Sequence, residues 1–399
     1  MKKRVFHKKQ KKLNFIMILS VLSLALLATS PAYGSNSNNS SSQQIELVLE
    51  QIPANNTGES DSFRLVLVPE GDPGLLQKIE QYIDIIYTFG GVGAAVLILL
   101  IYRHMYLREQ ELIENPPKDL YSHKIWKIEG LDELDQKKAE VARIRFFTAI
   151  PVVLISLAEL LIFSGRIKLA VWVHIGILIG FSVSNIFIKD IKVYRVYQAL
   201  MLLPILRLVN LSMPILFTTT LYTFIFVYGP LIVPLGIIVA NRNSFEQVGL
   251  TTKNFLIYSF LSIPLGFLLG LGEYLTIGTG YLIPDLSIQN LLKLTIIMVF
   301  FVGLVEELIF RSILQTRLEQ ALSSREALVL SSILFGLMHS GYGTYYEMFY
   351  TGFVGLFIGF AFYKTRSLPF VVILHGLVNV FLFGILPHYL NGWTWSDIF

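Results

Sequence analysis

The stretch LLKLTIIMVFFVGLVEELIFR (291–311) decides how the whole chain is read. Residues 294–305 are uncharged and almost wholly apolar, which is the composition of a membrane-crossing helix. Glu306, Glu307 and Arg311 then arrive within six residues. An ionised side chain near the bilayer centre costs about 2.5–3.5 kcal/mol on insertion scales, so such residues face a bundle interior and mark function. On a helix, Glu307 and Arg311 are four apart and share a face, so they can pair. Glu306 is turned about 100° away and has no partner on its own stretch of helix. One carboxylate therefore reads as structural and the other as free for proton transfer.

The rest of the chain has the same character. Of its 399 residues 54% are hydrophobic and 15% charged, against about 25% charged in ordinary globular chains. The charges bunch between long apolar runs. This pattern implies an all-α, polytopic transmembrane helix bundle in the cell membrane, in contact with lipid. The net charge of +4 is too small to suggest nucleic acid as a partner. With no cysteine, a disulfide framework, a thiolate zinc site and a cysteine nucleophile are all excluded.

Residues 1–34 read as a secretory signal: a basic MKKRVFHKKQKK, an apolar LNFIMILSVLSLALLAT, and AYG ahead of Ser35. A small extracytoplasmic segment, 35–82, follows. It opens on the polar spacer SNSNNSSSQ (35–43) and holds two candidate short strands, IELVLEQI (45–52) and FRLVLV (63–68). The first mature span lies near 83–102. The loop 103–145 carries nine Lys/Arg against two in 35–82, which makes it cytoplasmic. Further spans are expected near 147–164, 169–188, 196–216, 219–240, 254–274, 291–312, 326–341, 346–364 and 368–386, about ten in all. The 196–240 region is interrupted by Arg207, Pro214, Gly229, Pro230 and Pro234, so one kinked span there is the alternative. The N-terminal helices thus occupy 83–240 and a separate core 241–390. Any chemistry must sit within the membrane.

Two histidine motifs follow the paired glutamates. FGLMH (335–339) places Phe335 and His339 four apart, and HGLVN (375–379) does the same for His375 and Asn379. Three polar clusters on successive apolar helices suggest one convergent site. A carboxylate to activate water, histidines for a metal or an oxyanion, and an amide donor suit peptide-bond hydrolysis.

This combination resembles the CPBP family of intramembrane proteases, which includes the type II CaaX prenyl endopeptidases and bacteriocin-processing or immunity proteins. The motifs that carry the resemblance are EExxxR at 306–311, FxxxH at 335–339 and HxxxN at 375–379, within about 245–386 and including VGLTTKN (248–254). Ser312 is a departure, since many members have glycine there. The resemblance implies Glu306 as the catalytic base, Glu307 and Arg311 as its supporting pair, and His339, His375 and Asn379 as the remaining site residues. It implies a peptide or lipidated protein as substrate. Two mechanisms stay open: a zinc ion held by Glu306, His339 and His375, or glutamate-activated water with no metal.

Other readings compete. Polar residues can be helix–helix glue, and the same fold can serve as a non-catalytic scaffold or immunity protein. A proton-coupled transporter using Glu306, His339 and His375 is a third, although no inverted repeat is evident. Glu159, His174, Arg207 and Lys293 look isolated and are read as paired or snorkelling. GLGE (270–273) resembles the GxGD motif of aspartyl intramembrane proteases, but Glu273 replaces the aspartate. A topology reporter fused after Arg366 is expected to read as cytoplasmic and one at the C-terminus as external; the same side for both would overturn the span count.

Overall fold

The computed structural model describes residues 46–51, 63–68, 96–115, 133–216, 220–240, 248–251, 253–390 and 393. The signal segment 1–34, the spacer 35–43, most of the first span and the loop stretch 116–132 lie outside the described residues. In the unit Asn14–Ile98 the expected strands form as β1 (Glu46–Gln51) and β2 (Phe63–Val68), paired antiparallel with Leu47 opposite Leu67 and Leu49 opposite Leu65.

In the unit that includes Leu99–Phe399 every regular element among the described residues is a helix. Helix α1 (96–114) ends the first apolar run. It is followed by α2 (Glu133–Phe163), α3 (Ile167–Phe187), α4 (Ile191–Leu200) and α5 (Leu202–Leu216). Helices α6 (Thr223–Tyr228) and α7 (Ile232–Ala240) are joined by a 3-10 turn at Gly229–Leu231, where Pro230 cannot donate to a regular helix. Then come α8 (Phe255–Ile277), α9 (Ile288–Ala321), α10 (Ser324–Leu337), α11 (Tyr345–Thr365) and α12 (Leu368–Leu390).

Five of these are long and apolar enough to cross a membrane: Lys138–Phe163 within α2, then α3, α8, α9 and α12. They coincide with five of the expected ten spans. The other expected spans that fall on described residues are helical but shorter, broken or more polar. The α6–α7 run spans Thr223–Val239, and α10 has 14 residues.

Helix ends follow local chemistry. Ser323 and Glu326 close a reciprocal capping box at the start of α10, and Thr344 and Ser367 accept the first free N–H groups of α11 and α12. Gly278 ends α8 at φ +58, where a side chain would be strained.

The surface differs from that of a soluble protein. Phe260 (71% exposed), Leu256, Trp172 and Phe187 face outward, as lipid contact requires. Several charged groups are instead buried. Arg207 of α5 grips Glu159 of α2 through two hydrogen bonds of 2.9 and 2.5 Å, and His174 Nε2 of α3 lies 3.3 Å from the same carboxylate. Three of the four residues that look isolated in sequence are thus one cluster. It reaches the site as well: Ser340 donates to Glu159 at 2.7 Å and Arg207 donates to the Met338 carbonyl.

The core of Leu99–Phe399 lies among α8, α9, α11 and α12, where Leu269, Val299, Ile358, Val371 and Leu374 are buried together. Bare backbone lets these helices come close. A Cβ at Gly270 of α8 would stand 2.8 Å from the Val378 carbonyl of α12, and one at Gly303 of α9 would stand 2.9 Å from the Val372 carbonyl. Small residues at such crossings are how membrane helices pack without a hydrophobic drive between them. Gly303→Ala meets backbone that cannot swing aside, and should cost about 1–3 kcal/mol. Gly180→Ala on α3 meets nothing within 4 Å and should be near neutral. Thermal midpoints of the purified variants check the contrast.

Candidate active site

Helix α9 is not a regular α-helix around its acidic pair. Leu304–Glu307 is α-helical but is flanked by wide π turns at Met298–Gly303 and Leu308–Gln315. Such turns are rare and often occur at functional sites. Glu307 is fully buried, and its Oε1 serves two partners. Arg311 Nη1 lies 3.1 Å away and His375 Nδ1 lies 2.6 Å away. The i, i+4 pair expected from sequence is present, and a residue of α12 joins it.

Arg311 is held from three sides. It donates from Nη2 to the Gly355 carbonyl of α11 at 3.2 Å, and its guanidinium carbon sits 4.4 Å from the centre of the Phe335 ring. Phe335 is the meeting point of the motifs. Its ring is 5.0 Å from that of Phe310, 5.1 Å from His339 and 5.8 Å from His375. The phenylalanine of FxxxH therefore carries the arginine of EExxxR and borders both histidines. Ser312, the departure from the resembled motif, is buried and donates to the Val248 carbonyl at 2.7 Å.

Two expectations need correction. Glu306 is not a free carboxylate. It has no partner on its own helix, but the buried Tyr228 hydroxyl of α6 donates to its Oε1, and its Oε2 lies 3.8 Å from His375 Nε2. Nor does His339 share a helix face with Phe335. Helix α10 stops at Leu337, and His339 lies in the turn beyond, its Nδ1 2.9 Å from the Phe335 carbonyl. Tyr228 is the residue that sequence reasoning missed. A tyrosine before Gly229-Pro230 in an apolar run shows no spacing to any motif, since 78 residues separate it from Glu306.

The acceptors assign the histidine tautomers. A carboxylate faces His375 Nδ1 and a carbonyl faces His339 Nδ1, so each Nδ1 carries the proton and donates. In the neutral rings both Nε2 atoms are then bare. Asn379, one turn after His375, is 7% exposed and makes no hydrogen bond among the described residues, so its amide is unspent.

For a metal, two bare Nε2 atoms backed by a carboxylate and a carbonyl, with Glu306 beside them, are a suitable donor set in chemical terms. In position they are looser. Among the described residues no three His, Asp or Glu side chains are grouped closely enough to hold an ion.

Residues 288–381 match the family model described as type II CAAX prenyl endopeptidase, Rce1-like. The match contains Glu306, Glu307, Arg311, His339, His375 and Asn379; Tyr228 and Glu273 fall before it. No curated protein and no solved structure matches the chain.

The shared carboxylate makes a definite claim. Glu307→Gln leaves Arg311 charged and unpaired in a buried site, at about 3–5 kcal/mol, so the yield of folded protein should fall. Adding Arg311→Met should restore part of that yield. If the double variant folds no better than the single one, the pair is not what stabilises this region.

Proposed function

We propose, for a chain that belongs through residues 288–381 to the CPBP/CAAX protease family, that it is an intramembrane endopeptidase in which Glu306 activates water. The substrate class is a peptide or prenylated protein presented at the cell membrane. The observation that carries the mechanism is the chain of contacts Glu307–His375–Glu306–Tyr228.

Glu306 takes a proton from water, and the hydroxide formed adds to the carbonyl carbon of the scissile bond. Tyr228 holds one oxygen of Glu306, which leaves the other to face His375 and the reacting water. The oxyanion is met by the Asn379 amide. When His375 carries a second proton, its Nε2–H is a further donor and Glu307 balances the charge, as a carboxylate does behind other catalytic histidines. The tetrahedral intermediate collapses as Glu306 returns its proton to the leaving nitrogen and the C–N bond breaks. The site lies in low-dielectric surroundings, where fixed donors act strongly.

A metal, if bound, would be held by Glu306, His339 and His375 and would supply Lewis acidity at the carbonyl. No step above requires it.

Purified protein is expected to cleave a farnesylated CaaX peptide. Glu306→Ala, His339→Ala and His375→Ala should each abolish cleavage while the protein stays folded and membrane-inserted. Asn379→Ala, which removes one oxyanion donor, should lose about 10²–10³-fold in rate. Chelators should leave the rate unchanged under the water mechanism, whereas stoichiometric zinc lost on His339→Ala would establish the metal one. Full activity in all four variants would refute the site, and a folded but inert wild type would favour the scaffold.

A further inference from the structure

A second set of buried acids stands beside the site and takes no part in that chemistry. Glu273 lies near the end of α8 and Glu347 in the first turn of α11; they are 6% and 0% exposed. Both carboxylate oxygens of Glu347 lack any hydrogen-bond partner. Its backbone N–H is already capped by the Thr344 hydroxyl, so the side chain has no capping role. One turn on, Tyr350 donates to the Leu269 carbonyl at 2.8 Å and sets its phenol end against Gly272, which pins α11 against α8 at the level of the two acids.

The acids sense each other and the site. Glu273 interacts electrostatically with Glu347 and with Glu306, and Tyr342 interacts with all three. Tyr342 is 47% exposed and lies parallel to His339 with ring centres 6.2 Å apart, so the group borders an open turn rather than a sealed core. No cation among the described residues acts on Glu273 or Glu347. They also do not form a metal-holding group with Glu306 or any other described residue.

An ionised carboxylate buried without a partner is costly, and a neighbouring pair without a cation costs more. Helix packing does not require them, since Tyr350 against Gly272 and the Leu269 carbonyl already joins α8 to α11. We propose that Glu273 and Glu347 form a subsite that accepts a cationic side chain, lysine or arginine, of the peptide brought to Glu306. The identity of the ligand as a peptide rests on the endopeptidase reading; the demand for a cation rests on the two acids alone. A flexible ammonium or guanidinium, entering beside the exposed Tyr342, meets Glu273 and then Glu347, the more deeply buried of the two acids. The subsite thereby selects substrates by charge close to the bond that is cut.

Binding tests this apart from cleavage. Fluorescent farnesylated CaaX heptapeptides carry lysine in turn at each position flanking the scissile bond, with norleucine as the neutral match. Affinities are measured on full-length Glu306→Ala protein in nanodiscs. At one position lysine should bind about 10- to 100-fold more tightly than norleucine, the usual scale for a buried hydrogen bond to a charged group. Glu347→Gln and Glu273→Gln should each erase that preference and leave the norleucine peptide unaffected. Equal affinity of the two peptides at every position, as expected if the acids merely share a proton, overturns the proposal, and so does a preference that survives both substitutions. If the Gln variants do not fold, the lysine-to-norleucine ratio on the parent protein decides alone. Should the lysine peptide bind selectively but stay uncut by wild-type protein, the proteolytic reading fails and the subsite stands.

Discussion

The carboxylate of Glu307 is the point on which the site depends. Its Oε1 is shared between Arg311, one turn along the same helix, and His375 of α12. A charge buried this completely is tolerable only with an opposite charge and a good donor within reach. Both partners are therefore drawn to one atom. Arg311 in turn reaches the Gly355 carbonyl of α11 and the face of Phe335 on α10. One ion contact thus sets the mutual position of four helices, and with it the direction in which His375 presents Nε2.

The same arrangement separates two neighbouring acids that are chemically alike. Glu307 holds a cation and an N–H donor on its Oε1. Glu306, next in the chain, meets a neutral phenol and a more distant imidazole nitrogen. Adjacent residues on a helix point in directions about 100° apart, so consecutive carboxylates enter different surroundings and take different roles. The buried Glu159–Arg207 pair acts at longer range, because Ser340 and the Met338 carbonyl tie it to the turn that holds His339. Helices outside the matched family region thereby shape the site, as Tyr228 also does.

Much of this was legible from sequence, for identifiable reasons. Long apolar runs, basic loops and isolated charges report on solvent, and solvent constrains composition directly. The strands in 46–51 and 63–68, the principal apolar helices and the Glu307–Arg311 pair were all expected, because each rests on spacing within a few residues. The π turns around Leu304–Glu307 were not expected, since residue spacing does not show which carbonyl an N–H will choose. The end of α10 at Leu337 was misjudged for a related reason. The FGLMH stretch contains no proline and keeps a helical pattern, yet His339 Nδ1 turns back to the Phe335 carbonyl beyond the helix end.

What the sequence by itself determined is the chemical inventory: a membrane chain without cysteine, with paired glutamates, an arginine, two histidines and an amide at helical spacing. Local rules of period and charge suffice for that. Only the tertiary structure decided the partners. Tyr228 reaches Glu306 across 78 residues, and Glu273 comes within electrostatic reach of Glu347 from another helix. Such contacts depend on how helices distant in sequence are packed against one another. That is a property of three dimensions, which no stretch of chain carries alone.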